Sequence, residues 1–137
     1  MNLVWVMLNP STAGAFEDDP TIRRCWGFTE RDGRFGGMVV VNLFGLVATN
    51  PDALRAHDDP VGPHNREWVN ATMEQAKAVA VAWGASIEGL PAARAERDYV
   101  LESASAWGVS VMDLGTTKAG HPRHPLYLRS DTPWRWV

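Results

Sequence analysis

Four short apolar runs constrain the fold of this chain more than any other feature. They are rich in Val, Leu and Met, and they occupy residues 3–8, 38–43, 79–83 and 109–114. Continuous apolar runs of this length are typical of strands buried on both faces of a parallel sheet. Helical patterns separate them, which predicts crossover connections. We therefore expect an α/β fold, a three-layer α/β/α sandwich with a four-stranded parallel sheet, and a single domain over residues 1–137.

Proline-containing start signals mark the helices between these runs. Asp19 followed by Pro20 predicts an N-cap and a first helical residue, with the helix running to about Arg31. Similar signals predict further helical starts at Pro63, at Pro91 and, for a short turn to about Arg55, at Asn50-Pro51-Asp52. No repeat, linker or low-complexity segment interrupts this alternation.

Composition and charge exclude several classes of protein. The net charge is −3, which excludes a generic polycation that coats DNA. Residues 114–137 nevertheless hold four basic side chains and one acidic one, which suits a confined phosphate contact. No apolar run is long enough to span a bilayer, and no signal peptide is recognisable. With Cys25 as its single cysteine the chain has no internal disulfide, so we expect a cytoplasmic protein without membrane contact.

Polar residues follow the predicted strands where ligands bind in open parallel sheets. Asn9 follows the first run, and its amide could orient a water or read a base edge; the alternative is that it caps the turn. Asn42 lies at the end of the second run. Trp83-Gly84 ends the third, where the indole either packs in the core or offers a stacking surface. Lys118 follows the fourth.

The loop 120–128, which reads GHPRHPLYL, is a second concentration of polar groups. Two prolines stiffen it, and His121, Arg123 and His124 make it a place to hold an anion or a nucleobase. The alternative is a stiff turn that packs Leu126 and Leu128. The histidine and cysteine spacings match no zinc site, so no metal and no cofactor is expected.

Several other residues have two interpretations each. Arg23 and Arg24 follow the first helix start closely, and they either face the strand-end cleft or belong to a solvated helix face. Ser11 and Thr12 are turn residues or ligand contacts; the absence of a Gly-x-Ser-x-Gly elbow disfavours Ser11 as a nucleophile. The Walker phosphate-loop pattern is absent, which disfavours ATP hydrolysis. Cys25 is expected to fill the core.

Seven sequence blocks resemble, in order, a bacterial and phage family known as domain of unknown function 1643. The blocks are residues 9–13, 19–25, 42–44, 48–51, 59–65, 83–84 and 115–128. The match extends over nearly the whole chain. The family has no settled activity, so this resemblance implies no reaction for the chain.

A more distant resemblance is to the uracil-DNA glycosylase superfamily. It rests on the Asn9-Pro10 loop, the strand-end Trp83-Gly84 and the His-Pro…Pro-Leu loop that begins at His121. It implies that Asn9 positions the attacking water, that His121 is the catalytic histidine and that Leu126 lies in the wedge region. Phe16 is the candidate for the base-stacking phenylalanine. The loop here is one residue longer and more basic than in that superfamily.

These observations predict a nucleic-acid-directed protein that binds or excises a modified base by hydrolysing its N-glycosidic bond. Asn9 and His121 are the expected catalytic residues. The base or nucleotide would contact Ser11, Thr12, Phe16, Asn42, Trp83, Gly84 and Lys118, and phosphates would contact Arg23, Arg24, Arg123 and His124. The alternatives are an enzyme of free nucleotides or nucleosides, and a non-catalytic module that binds a protein through its Trp-rich C-terminal tail.

Overall fold

Five strands form one sheet in the part of the chain that this computed structural model describes, residues 1–10 and 19–137. They are β1 (Asn2–Met7), β2 (Gly37–Asn42), β3 (Ala78–Val81), β4 (Ser110–Asp113) and β5 (Arg135–Trp136). Their order is β2-β1-β3-β4-β5. The first four strands are parallel, and β5 is antiparallel to β4. The carboxyl ends of β1 to β4 therefore share one edge of the sheet.

Within the described residues, four α-helices connect the strands: α1 (Pro20–Asp32), α2 (Pro51–Ala56), α3 (Asn65–Glu74) and α4 (Pro91–Trp107). The predicted helix starts at Pro20, Pro51 and Pro91 are confirmed. For α1, the carboxylate of Asp19 accepts hydrogen bonds from the backbone N–H groups of Thr21 and Ile22. At the other end of α1, Gly33 adopts a left-handed conformation that closes the helix. The helix predicted from Pro63 begins two residues later, at Asn65.

Alternate side chains of the strands pack into two separate cores. On one side of the sheet, Trp5 packs with Phe28 of α1. On the other side, Val6 packs with residues of α3 and α4, among them Val69 and Val100. This alternation is the period of two that a strand imposes, and it confirms the predicted helix–sheet–helix layering. None of the described helices is both long enough and apolar enough to cross a bilayer.

The predicted four-stranded sheet is wrong in its strand count, because the Trp-rich tail adds β5. The Arg135 guanidinium forms two 2.8 Å hydrogen bonds to the carboxylate of Asp113. Next to it, the Trp134 ring packs 5.4 Å from that of Trp5 and 6.2 Å from that of Phe28. The tail therefore docks on the body of the protein. A two-residue antiparallel strand has too little pattern to be recognised in a sequence.

Candidate functional site

A cleft of about 1040 Å³ opens at the carboxyl edge of the sheet. Its walls come from the residues after β1, β2 and β3, from the loop after β4, from the start of α1 and from the loop that precedes α2. Six of its polar lining residues are Asn9, Arg23, Asn42, Thr117, Arg123 and His124. The parallel order of β1 to β4 produces this convergence, as the sequence predicts.

Asn9 is fixed by its side-chain nitrogen. Nδ2 donates to the carbonyl oxygen of Ala48 at 2.7 Å and to that of Pro10 at 3.0 Å, with a longer contact of 3.4 Å to Leu46. Because all three partners are acceptors, the orientation of the amide is determined. Oδ1 has no donor among the described residues. The side chain therefore presents a fixed acceptor at the wall of the cleft.

Asn42 supplies a second amide to the same cleft. In the β1–β2 register, Asn42 lies opposite Met7. Met7 is the last residue of β1 and precedes Asn9 by two residues. Its backbone carbonyl accepts a hydrogen bond of 2.8 Å from the side chain of Asn65, which ties the end of β2 to α3. Its own side-chain amide has no hydrogen-bond partner in the part of the chain that the structure describes. Donor and acceptor are both available to a ligand.

The loop after β4 is folded back on itself by main-chain bonds. The N–H of Arg123 donates to Gly115, and that of Thr117 donates to the carbonyl oxygen of His121 at 2.8 Å. The Thr117 hydroxyl in turn accepts from the N–H of His121 at 3.2 Å. These bonds fix which of the two loop histidines faces the cleft. His124, a predicted phosphate contact, lines the cleft, whereas His121, the predicted catalytic histidine, does not.

His124 is held as a neutral hydrogen-bond donor. Its Nδ1 accepts a bond of 3.2 Å from the N–H of Leu126, so in the neutral ring the proton is on Nε2. Burial lowers the pKa of His124 below its usual range, and nearby Asp19 opposes this only in part. Within the described residues, Nε2 has no partner. The imidazole thus offers an uncharged N–H to the cleft.

His121 is buried and lies outside the lining of the cleft. Its Nε2 is 3.0 Å from Oε1 of the exposed Glu88, which follows the 3-10 turn Ala85–Ile87. This contact ties the loop to the end of β3. Lys118, another predicted ligand contact, is exposed and also lies outside the lining.

The basic residues separate into two groups. Arg123 lines the cleft, and its guanidinium has no partner among the described residues; Arg23 also lines the cleft. Arg24 faces away from it. The Arg24 guanidinium donates to the carbonyl oxygen of Leu128 and to Oγ of Ser130, and so fastens the segment after the loop onto α1.

Trp83 borders the cleft but is only 2% exposed, and it packs in the core with Leu90 and Ile87. The core alternative is therefore confirmed. Its Nε1 is buried and has no hydrogen-bond partner among the described residues. Gly84 follows with a φ of 75°, and a Cβ there would come within 3.3 Å of Cβ of His124. Glycine at this position lets the loop approach the end of β3.

Some sequence predictions concern residues outside this geometry. Ser11, Thr12 and Phe16 lie outside the described residues. Cys25 fills the core as predicted: burial raises the pKa of its thiol to about 12, so it is a poor nucleophile. Tyr127, which is not among the predicted site residues, lines the cleft and is 86% exposed. The one sequence feature that could have indicated Tyr127 as a site residue is its position within the 120–128 motif.

Comparison with known proteins identifies one family. A sequence model described as "Protein of unknown function (DUF1643)" matches residues 1–126. No curated protein matches the chain, and no solved structure matches it. The resemblance to the uracil-DNA glycosylase superfamily therefore has no support from a solved structure.

Proposed function

Because this chain belongs to the DUF1643 family of proteins of unknown function, whose description names no reaction, we propose its function from the cleft. The protein is a nucleic-acid-directed enzyme that hydrolyses the N-glycosidic bond of a base held in this cleft. One observation carries the proposal: Asn9, Asn42 and His124 bring hydrogen-bonding groups without described partners to a single cleft. A base edge needs a pattern of this kind, with donors and acceptors at fixed positions.

The two amides suit the recognition of a base. Asn42 offers both a donor and an acceptor, which can pair with the edge of a nucleobase in two parallel hydrogen bonds. The exposed ring of Tyr127 at the cleft supplies a face on which a base or its neighbour can stack. Since Trp83 is buried, stacking is assigned to Tyr127 instead.

Positive charge at the cleft suits the phosphates next to that base. Arg123 lines the cleft with a guanidinium that no described carboxylate neutralises, and Arg23 lines it from α1. Arginine binds phosphate oxygens through paired N–H groups. These two side chains would hold the sugar–phosphate on either side of the bound base.

Asn9 and His124 have different roles in the hydrolytic step. Asn9 Oδ1 accepts a hydrogen bond from a water and directs its oxygen at C1′ of the sugar. The bond from C1′ to the base nitrogen breaks, its electron pair leaves with the base, and the water loses a proton to solvent. The N–H at Nε2 of His124 stabilises the negative charge that develops on a base oxygen. The resemblance gives this role to His121, but the geometry favours His124.

Release of free base from oligonucleotides tests this proposal. Purified protein is incubated with single-stranded and duplex DNA and RNA that carry a series of modified bases, and released base is separated by chromatography. We expect release from at least one substrate, and loss of release in Asn9→Ala. Asn2→Ala, at the opposite end of β1, is the matched control and should keep full activity. No release from any of these substrates would overturn the proposed hydrolysis, whether or not a nucleotide binds.

A second candidate is an enzyme of free nucleotides. The overall charge of −3 favours it, because a negatively charged body repels a long polyanion more than a mononucleotide. A cleft of about 1040 Å³ is large enough for a nucleotide. Saturable binding of a mononucleotide, with no tighter binding of an oligonucleotide, would favour this function.

A further inference from the structure

A second, smaller groove of about 250 Å³ lies along α1. Arg23 lines both the cleft and this groove, so the two are adjacent. The remaining lining comes from Arg24, Gly27, Phe28 and Arg31 of α1 and from Ser130 on the opposite side. We propose that this groove binds the backbone of a single-stranded nucleic acid whose base occupies the cleft. This inference rests on the proposed function and names its substrate as a single strand.

Two side chains of the groove, Arg24 and Arg31, supply positive charge. Arg31 donates to the carbonyl oxygens of Ser130 and Thr132, and Arg24 donates to neutral oxygens on the same segment. Neither guanidinium forms an ion pair with a described residue. Their hydrogen bonds therefore fix the two side chains without cancelling their charges. Both also lie over the ring of Phe28, at 5.1 and 5.0 Å from its centre, which holds them further.

The length of the groove suits a short stretch of one backbone. From Arg23 to Arg31 the helix rises about 12 Å, which is the length of about two or three phosphates of one strand. Exposed aromatic rings for unpaired bases are present at Trp26, next to Gly27, and at Tyr127.

Gly27 supplies an independent indication that this groove is kept open. A glycine inside a helix destabilises it relative to alanine by roughly 1 kcal/mol. Nothing in the described structure lies within 4 Å of a Cβ built at Gly27, so packing does not require the glycine. Gly27 lines the groove, and any side chain at this position would occupy the path of the strand.

The test measures the affinity of the full chain for a mononucleotide and for single-stranded oligonucleotides of increasing length, at several salt concentrations. We expect affinity to rise with length over the first few nucleotides. Gly27→Glu should keep or raise the Tm and lower the affinity for a 10-nucleotide strand about fivefold or more, with mononucleotide binding unchanged. Ala95→Glu, on an exposed position of α4, adds the same charge elsewhere and should have little effect.

The second part of the test removes one positive charge from the groove. Arg31→Gln keeps side-chain donors for the carbonyl oxygens and should reduce the slope of log affinity against log salt by about 0.7. Arg94→Gln on α4 is its control. If a mononucleotide binds but added length gives no gain, or if Gly27→Glu binds the strand normally, this inference is wrong while the proposed function stands. Tighter binding of duplex than of single strand would also overturn it, and absence of all nucleotide binding would overturn both.

Discussion

Asn9 Nδ2 donates to the carbonyl oxygen of Ala48 at 2.7 Å, so the amide that faces the cleft also fastens one of its walls. The backbone N–H of Ala48 returns a bond of 3.2 Å to the carbonyl oxygen of Pro10. The strand-end asparagine and the loop before α2 therefore form one unit. A substitution at Asn9 affects the shape of the cleft as well as its chemistry.

Asn9→Asp should destabilise the protein by about 1–3 kcal/mol, because it places a carboxylate oxygen against carbonyl oxygens that now accept hydrogen bonds. The free energy of unfolding in urea measures this. Asn2→Ala, on the same strand but exposed at its other end, should stay within about 0.5 kcal/mol of wild type. If Asn9→Asp were as stable as that control, the bonds from Nδ2 would not hold the loop.

Gly84→Ala should destabilise the fold by about 1–2 kcal/mol and displace His124. The φ of 75° is unfavourable for alanine, and the new methyl would lie 3.3 Å from Cβ of His124. Gly27→Ala is the control, since its Cβ meets open space in a helix and should stabilise by about 0.5–1 kcal/mol. Opposite signs of the two changes in urea denaturation are expected. Equal changes would contradict the strained geometry at Gly84.

Trp134→Ala should destabilise the protein by about 2 kcal/mol or more, because the ring covers Trp5 and Phe28. Trp136→Ala provides the comparison. That side chain is 57% exposed and contacts the Arg34 guanidinium at 4.9 Å, so its loss should be nearly neutral. Similar stabilities of the two variants in urea would show that the tail does not belong to the core.

The pKa of His124 predicts a specific pH dependence of stability. Because burial keeps the folded-state pKa below its unfolded value near 6.5, the unfolded state binds more protons as the pH falls through 6.5. His124 therefore costs stability on acidification. His124→Asn keeps an oxygen to accept from the N–H of Leu126 but removes the titrating ring. Between pH 7.5 and 5, the Tm of wild type should fall further than that of His124→Asn; a smaller fall in wild type would contradict the assignment.

The sequence predicts the elements that depend on local patterns. Continuous apolar runs predict β1 to β4, and the Asp19-Pro20 signal predicts the start of α1. The convergence of Asn9, Asn42 and Gly84 at one edge follows from parallel topology alone. These predictions succeed because burial on both faces and N-capping leave a signature within a few residues.

The rest depends on contacts between distant residues. His124 lines the cleft and His121 does not, because hydrogen bonds fold residues 115–123 back and His121 contacts Glu88. The strand β5 pairs with β4, and its Arg135 guanidinium binds the buried carboxylate of Asp113, 22 residues earlier. Arg24, a predicted phosphate contact, lies outside the lining of the cleft because its guanidinium donates hydrogen bonds to the carbonyl oxygen of Leu128 and to Oγ of Ser130. None of these pairings has a local pattern.

Recognition of a base by the cleft is the central claim, and comparison of nucleotides with a sugar phosphate tests it most directly. Calorimetric titrations would compare each 2′-deoxynucleoside 5′-monophosphate with 2-deoxyribose 5-phosphate, which has a hydroxyl in place of the base. We predict that at least one nucleotide binds tenfold or more tightly than the sugar phosphate, and that Asn42→Ala removes this advantage. Equal binding of the sugar phosphate and every nucleotide, or an advantage that persists in Asn42→Ala, would contradict the account.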